Sequence, residues 1–135
     1  MSELTEIIDF VKDFSGIDNL NPESDIFNLG VVGDDFHEMI EKYAETFEVD
    51  MSGYFWYFHA NEEGQNFGAL FFKPPYSKVD RIPVTPRLLS EFAETKKWSI
   101  DYPVHEMPNK RIDIKINQIL GIVFILIILT IWIFN

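Results

Sequence analysis

Gly33-Asp34-Asp35-Phe36-His37-Glu38-Met39-Ile40-Glu41-Lys42-Tyr43-Ala44-Glu45-Thr46-Phe47 decides the fold of this chain. Phe36, Met39, Ile40, Tyr43, Ala44 and Phe47 recur at intervals of three and four, the spacing of one helical stripe, while Glu38, Glu41, Glu45 and Glu48 mark another face. The stretch predicts an amphipathic helix with an apolar side for a core and an acidic side beyond it. Asp34 or Asp35 is expected to cap it, and Asp35 with Glu38 has capping-box spacing, in which the first side chain satisfies a free backbone N–H. Negative charge there also suits the positive end of the helix dipole. Glu41 and Glu45 lie one turn apart, a like-charge pairing that costs a few tenths of a kcal/mol, which Lys42 offsets in part by pairing with Glu38. Such acids serve either as a solvated face or as a docking face.

Upstream, Leu4, Ile7, Ile8, Val11 and Phe14 form the stripe of a first helix, widened by Phe10, with Ser2 as its cap and Ser15-Gly16 as its stop. The connection from Ile17 to Val32 has turn residues at Asn19, Asn21-Pro22 and Gly30 but also Ile26, Phe27, Leu29, Val31 and Val32, so it should lie over the core. Downstream comes the aromatic run Tyr54-Phe55-Trp56-Tyr57-Phe58-His59. It suits core packing better than nucleobase stacking, because stacking platforms sit in basic grooves. Asn61 to Asn66 reads as a polar turn and Phe67 to Phe72 as a short strand or extended segment, and two short antiparallel pieces could pair across the turn as a small hairpin. Thr85-Pro86 starts another helix, with Leu88, Leu89, Phe92 and Ala93 facing inward and Trp98 closing the element. The expected fold is a small, mainly α bundle over residues 1–98 with a short β-hairpin insertion. A Pro-containing linker at 99–115 and a transmembrane helix at 116–134 follow.

That last helix rests on length and composition. No charged residue occurs from Ile116 to Phe134, and at about 1.5 Å per residue the stretch is long enough for a hydrocarbon core of about 30 Å. Lys110, Arg111 and Lys115 precede it, nothing basic follows, and Trp132 suits an interfacial anchor. The positive-inside rule therefore places the preceding domain in the cytoplasm, in a tail-anchored, single-pass topology. The first fourteen residues are acidic and amphipathic, so a secretory signal is not expected in them.

The net charge is −11, and residues 109–135 contribute +2 of it, leaving −13 on the domain before them. Such a domain is not expected to bind nucleic acid or to adhere to an anionic membrane surface; a basic protein surface is the expected partner. With no cysteine there is no disulfide, thiolate metal site or thiol nucleophile.

The order of elements and the text of Leu29-Gly30-Val31-Val32-Gly33-Asp34-Asp35-Phe36 resemble acyl carrier proteins, in which Asp-Ser-Leu opens the second helix. Gly33-Asp34-Asp35, Phe47-Glu48-Val49-Asp50, and Ile82-Pro83-Val84-Thr85 leading to Trp98 resemble more closely a bacterial carrier-like family, domain of unknown function 1493. That resemblance covers roughly Glu3 to Trp98 and implies a bacterial inner-membrane location for the anchored chain. Carriers need a serine hydroxyl for their phosphopantetheine, and Asp35 stands at that position, so no cofactor is expected. Carriers also meet basic partners along the acidic second helix, which implies a binding face of Asp34, Asp35, Glu38, Glu41 and Glu45.

Catalytic chemistry finds no support in the spacing. His37, Glu38 and Glu41 lie within one turn, but a metal ion would need a further ligand from another element, so no metal site is expected. His59 and His105 have no nucleophile in their sequence context, and the glycines fit no phosphate loop. The expected function is noncatalytic partner binding from a membrane anchor. The alternative is a small single-span subunit or regulator that acts through its transmembrane helix.

Overall fold

The computed structural model describes residues 3–134. Its helices are α1 Glu3–Ser15, α2 Gly33–Phe47, α3 Pro86–Thr95 and α4 Ile112–Phe134, with 3-10 turns at Trp56–Phe58, Phe67–Leu70 and Pro75–Ser77 between α2 and α3. The mainly helical class follows from the periodicities described above. Ser2, the expected cap of α1, lies outside the described residues. Gly16 ends α1 as expected: at φ +70 it turns its N–H back to the Lys12 carbonyl, 2.8 Å away.

One core joins α1, α2 and α3. Ile7 and Val11 meet Phe36, Met39, Ile40 and Tyr43, with Leu89, Phe92 and Ala93 from α3 and Trp98 behind it. The buried Tyr43 hydroxyl donates to the Leu89 carbonyl at 2.6 Å, tying α2 to α3. The long connection before α2 does cover the core: Leu20, Ile26 and Val31 are buried. Its backbone is held from α3's approach, where Ile26 N–H donates to the Val84 carbonyl (3.0 Å) and Arg87 N–H to that of Pro22 (3.0 Å). Arg81 binds Asp25 through two nitrogens and lies over the Phe27 ring.

Two expectations are corrected. Neither Asp34 nor Asp35 caps α2. The helix begins at Gly33, and the capping position falls to Val32, whose side chain has no polar atom to offer. Gly33 takes φ +53 and donates its N–H to Asn61 Oδ1 at 3.0 Å, so the cap comes from a residue 28 positions away. Asp34 and Asp35 therefore occupy the first turn, where their charge suits the dipole without closing a hydrogen bond.

Nor is there a hairpin. Trp56–Phe58 and Phe67–Leu70 are tight single turns, and among the described residues the extended pairing is confined to one bridge between Asp50 and Lys97. Asn66 explains the second turn, because its Oδ1 accepts from Ala69 N–H at 3.1 Å and so caps it. A run such as residues 67–72, with no polar side chain, lacks the alternation that gives a two-stranded ribbon a solvent face.

Thr85 caps α3 as expected, its hydroxyl accepting from Leu88 N–H at 3.2 Å with Pro86 at the first helical position. Helices α2 and α3 end alike. Glu48 and Lys96 both take left-handed conformations, Asp50 N–H donates to the Lys96 carbonyl and Trp98 N–H to that of Asp50, each at 2.9 Å. The Lys96 ammonium donates to the Phe47 carbonyl at 2.8 Å, placing a positive charge at the negative end of α2.

Candidate functional site: the acidic ridge of the second helix

Asp34, Asp35, Glu38, Glu41 and Glu45 are all exposed. At 100° per residue Asp34, Glu38, Glu41 and Glu45 fall within an arc of about 60°, and Asp35 lies about 60° beyond its edge. The structure thus makes a ridge of four carboxylates and leaves Asp35 on its flank. Among the described residues, Glu38 has a cationic partner, Lys42 at 2.7 Å, as expected from the spacing, while Asp34, Asp35, Glu41 and Glu45 have none. Lys42 also covers the Phe14 ring.

The ridge has a hollow on each side. One, of about 440 Å³, lies between α2 and the segment that follows it, walled by Ile40, Ala44, Met51, Tyr54 and Trp56 with His37, Glu41 and Glu62 among its lining. The other, of about 520 Å³, lies toward the end of α1 and holds Asp35, Glu38 and Lys42. Carboxylates between two concavities form a surface that long cationic side chains can straddle, their aliphatic stems in the hollows and their heads on the ridge.

His37 places Nε2 3.1 Å from the Asn61 carbonyl and sets its ring edge against Trp56. Among the described residues no three His, Asp or Glu side chains converge as metal ligands. The strongest polar chemistry inside the domain involves the aromatic run instead. His59 is fully buried, stacked on Tyr54, with Nδ1 2.9 Å from the Ile82 carbonyl and Nε2 2.7 Å from the Tyr102 hydroxyl. The carbonyl requires a proton on Nδ1, so Nε2 accepts from Tyr102, whose oxygen in turn accepts from Trp98 Nε1 at 2.8 Å. Burial pushes His59 down to about 4, with a smaller push from Arg81. It is a neutral strut with both nitrogens satisfied. The aromatic run is core only in part: Phe58 and His59 are buried, Tyr54, Trp56 and Tyr57 are half-buried, and Phe55 is exposed. The Tyr54 hydroxyl is buried without a hydrogen-bond partner among the described residues, and burial raises its pKa.

The residues expected at a membrane interface fare differently from one another. Lys110, Lys115 and Trp132 are exposed. Arg111 is not free: it binds both Glu62 oxygens at 2.8 Å and reaches Asp113 at 2.6 Å, hydrogen bonds that raise its pKa still further. Asp113, almost fully buried, also accepts from Asn66 at 2.9 Å; Asn117 donates to Asn66 Oδ1 at 2.7 Å and accepts from Gly68 N–H at 2.8 Å. These bonds fasten the first turns of α4 to the Phe67–Leu70 turn. α4 begins at Ile112, four residues before the expected span, so the approach to it is helical. It is long and apolar enough to cross a membrane, and its most apolar window is not buried at all within the protein.

A family model described as Protein of unknown function (DUF1493) matches residues 4–101, from α1 to just beyond Trp98. The chain belongs to this family. No curated protein and no solved structure matches it. The DUF1493 match contains the whole ridge, both hollows and the His59 network except Tyr102, and it ends before α4. Within the DUF1493 domain, sequence reasoning missed Asn61 and Glu62, which hold α2 and Arg111. Neither has a local signal, since each acts on a residue tens of positions away.

Proposed function

We propose that this protein is a noncatalytic, membrane-anchored recognition domain that binds a basic protein surface along the ridge of α2. The reading includes an acyl-carrier-like shape without the prosthetic group, because Asp35 offers no hydroxyl at the position where a carrier bears its serine. It includes anchoring through α4 in a bacterial inner membrane, with Lys110 and Lys115 keeping the domain on the cytoplasmic side. The observation that carries it is the row of exposed carboxylates, three of four without a counter-ion among the described residues, on a helix whose opposite face is the core. Close like charges cost stability, and a cationic partner would relieve that cost. Holding the domain at a membrane raises its effective concentration toward partners on the same surface.

The test uses the full chain from native membranes in detergent, crosslinked from positions on α2. A specific partner should be captured at low salt, weaken as salt rises, and disappear in Glu41→Lys/Glu45→Lys. If that double variant keeps the same partners, the ridge is not the docking surface. Exchange of α4 for an unrelated span separates this reading from a subunit that acts through its membrane helix. Retained function supports the domain. The span itself offers little for helix pairing, as Gly121 stands alone and the Thr130 hydroxyl is spent on the Leu126 carbonyl at 2.8 Å.

A further inference from the structure

Four of the basic residues of this acidic chain gather in one place. Of its eleven Lys and Arg side chains, Lys73, Lys78, Lys110 and Arg111 line one cavity of about 310 Å³, beside the start of α4, together with Phe71, Phe72 and Asp113, whose carboxylate is bound by Arg111. Arg111 is committed to Glu62 and Asp113, but among the described residues Lys73, Lys78 and Lys110 have no carboxylate partner, and all three are exposed. Beside them lies a patch of large apolar side chains on the turn that α4 is fastened to: Leu70 is 81% and Phe71 73% exposed, with Phe67 and Phe72 also open. Apolar groups bared to this degree beside unpaired lysines mark a surface that meets something other than water.

We propose that this cavity seats the phosphate of an anionic phospholipid, held by Lys73, Lys78 and Lys110, while Leu70 and Phe71 dip among the acyl chains. The proposal rests on the reading of α4 as a membrane span, and continuity with α4 is what selects lipid as the occupant. The hydrogen bonds from Asn66, Gly68 and Asn117 hold the apolar turn against the helix where it would enter the bilayer, so both reach the headgroup layer together. Lysine is suited to this place, since its stem lies along apolar surface while its ammonium reaches the phosphate. The domain's net negative charge argued against adhesion to an anionic surface. Screening over about 8 Å at physiological salt leaves contact to the local charges, which here are cationic.

The full chain in nanodiscs of phosphatidylcholine mixed with phosphatidylglycerol, followed by native mass spectrometry of the retained lipids, tests the proposal. Phosphatidylglycerol should be retained over phosphatidylcholine. Retention should fall about five-fold for each of Lys73→Gln, Lys78→Gln and Lys110→Gln, and stay unchanged in Lys97→Gln, an exposed lysine elsewhere. No preference, or an equal loss in Lys97→Gln, would overturn it. So would displacement of the lipid by inorganic phosphate alone, which would mark a site for a free anion. Alkaline extraction of native membranes separates the two readings: a wild-type chain that is extracted refutes the anchor and this site with it, whereas one that stays but shows no lipid preference refutes the site alone.

Discussion

The ridge of α2 and the joint at the start of α4 use the same side chains to opposite ends. On the ridge, Asp34, Glu41 and Glu45 are exposed and unpaired among the described residues. At the joint, Asp113 is buried and Glu62 half-buried, and every carboxylate oxygen is bound by Arg111 or Asn66. A carboxylate whose bonds are all made inside the molecule is structural; one left open is available to something else. The contrast predicts that the joint governs stability and the ridge governs binding.

The sharpest way to break it is Arg111→Leu. That change strands the Asp113 carboxylate, only 3% exposed at its side chain, and should cost about 3 kcal/mol, read as faster hydrogen exchange in Phe67–Phe72 and the first turns of α4. Gly68→Ala attacks the same place sterically, because a β-carbon there would stand 2.0 Å from the Asp113 carbonyl oxygen.

Acid should loosen the domain by a route that bypasses both regions. Folded His59 stays neutral down to about 4, whereas the unfolded chain takes up that proton near 6.5, so between these values the unfolded state binds more protons. The histidine's contribution is fully present above about pH 6.5 and is lost as pH falls toward 4, by about 3 kcal/mol at most. Urea unfolding across this range checks it, and His59→Phe should flatten the slope while lowering stability at neutral pH, since the Tyr102 hydroxyl and Ile82 carbonyl lose their partner.

Smaller effects follow. Glu48→Gly should raise stability by about 1 kcal/mol in urea unfolding, because Glu48 sits at φ 54, where a side chain is strained. On the ridge, Glu41→Gln should raise the unfolding free energy by only a few tenths of a kcal/mol while weakening partner binding, the signature of a surface kept for contact.

What could be read from the residues divides along the same line. The stripes of α1, α2 and α3 were legible because each apolar face repeats within its own segment, and Thr85-Pro86 announced α3 by a cap whose bond closes three residues on. The ridge was legible for the same reason, being the complement of the α2 core face. The joint was not, because Glu62, Asn66 and Gly68 meet Arg111, Asp113 and Asn117 across about fifty positions and no local pattern encodes that meeting. The cap of α2 failed in the same way: two aspartates stood where a cap belongs, and Asn61 took the role from a distance. The hairpin failed for a different reason, since a dense apolar run has no period, and the small capping signal of Asn66 was outweighed by it.

α4 runs unbroken from Ile112 to Phe134, and its first turns are bolted to the domain. There is no swivel where hydrophobic helix and folded domain meet. Were α4 to cross a bilayer thinner than its length, leaning would be one way to fit it, beside kinking or local thickening of the bilayer. With a stiff joint the whole domain leans with it, and the bearing of α2 relative to the membrane plane changes by the same angle. If α4 spans a bilayer, the bilayer's thickness would then become a mechanical input, a lever arm that sets the bearing of the carboxylate row.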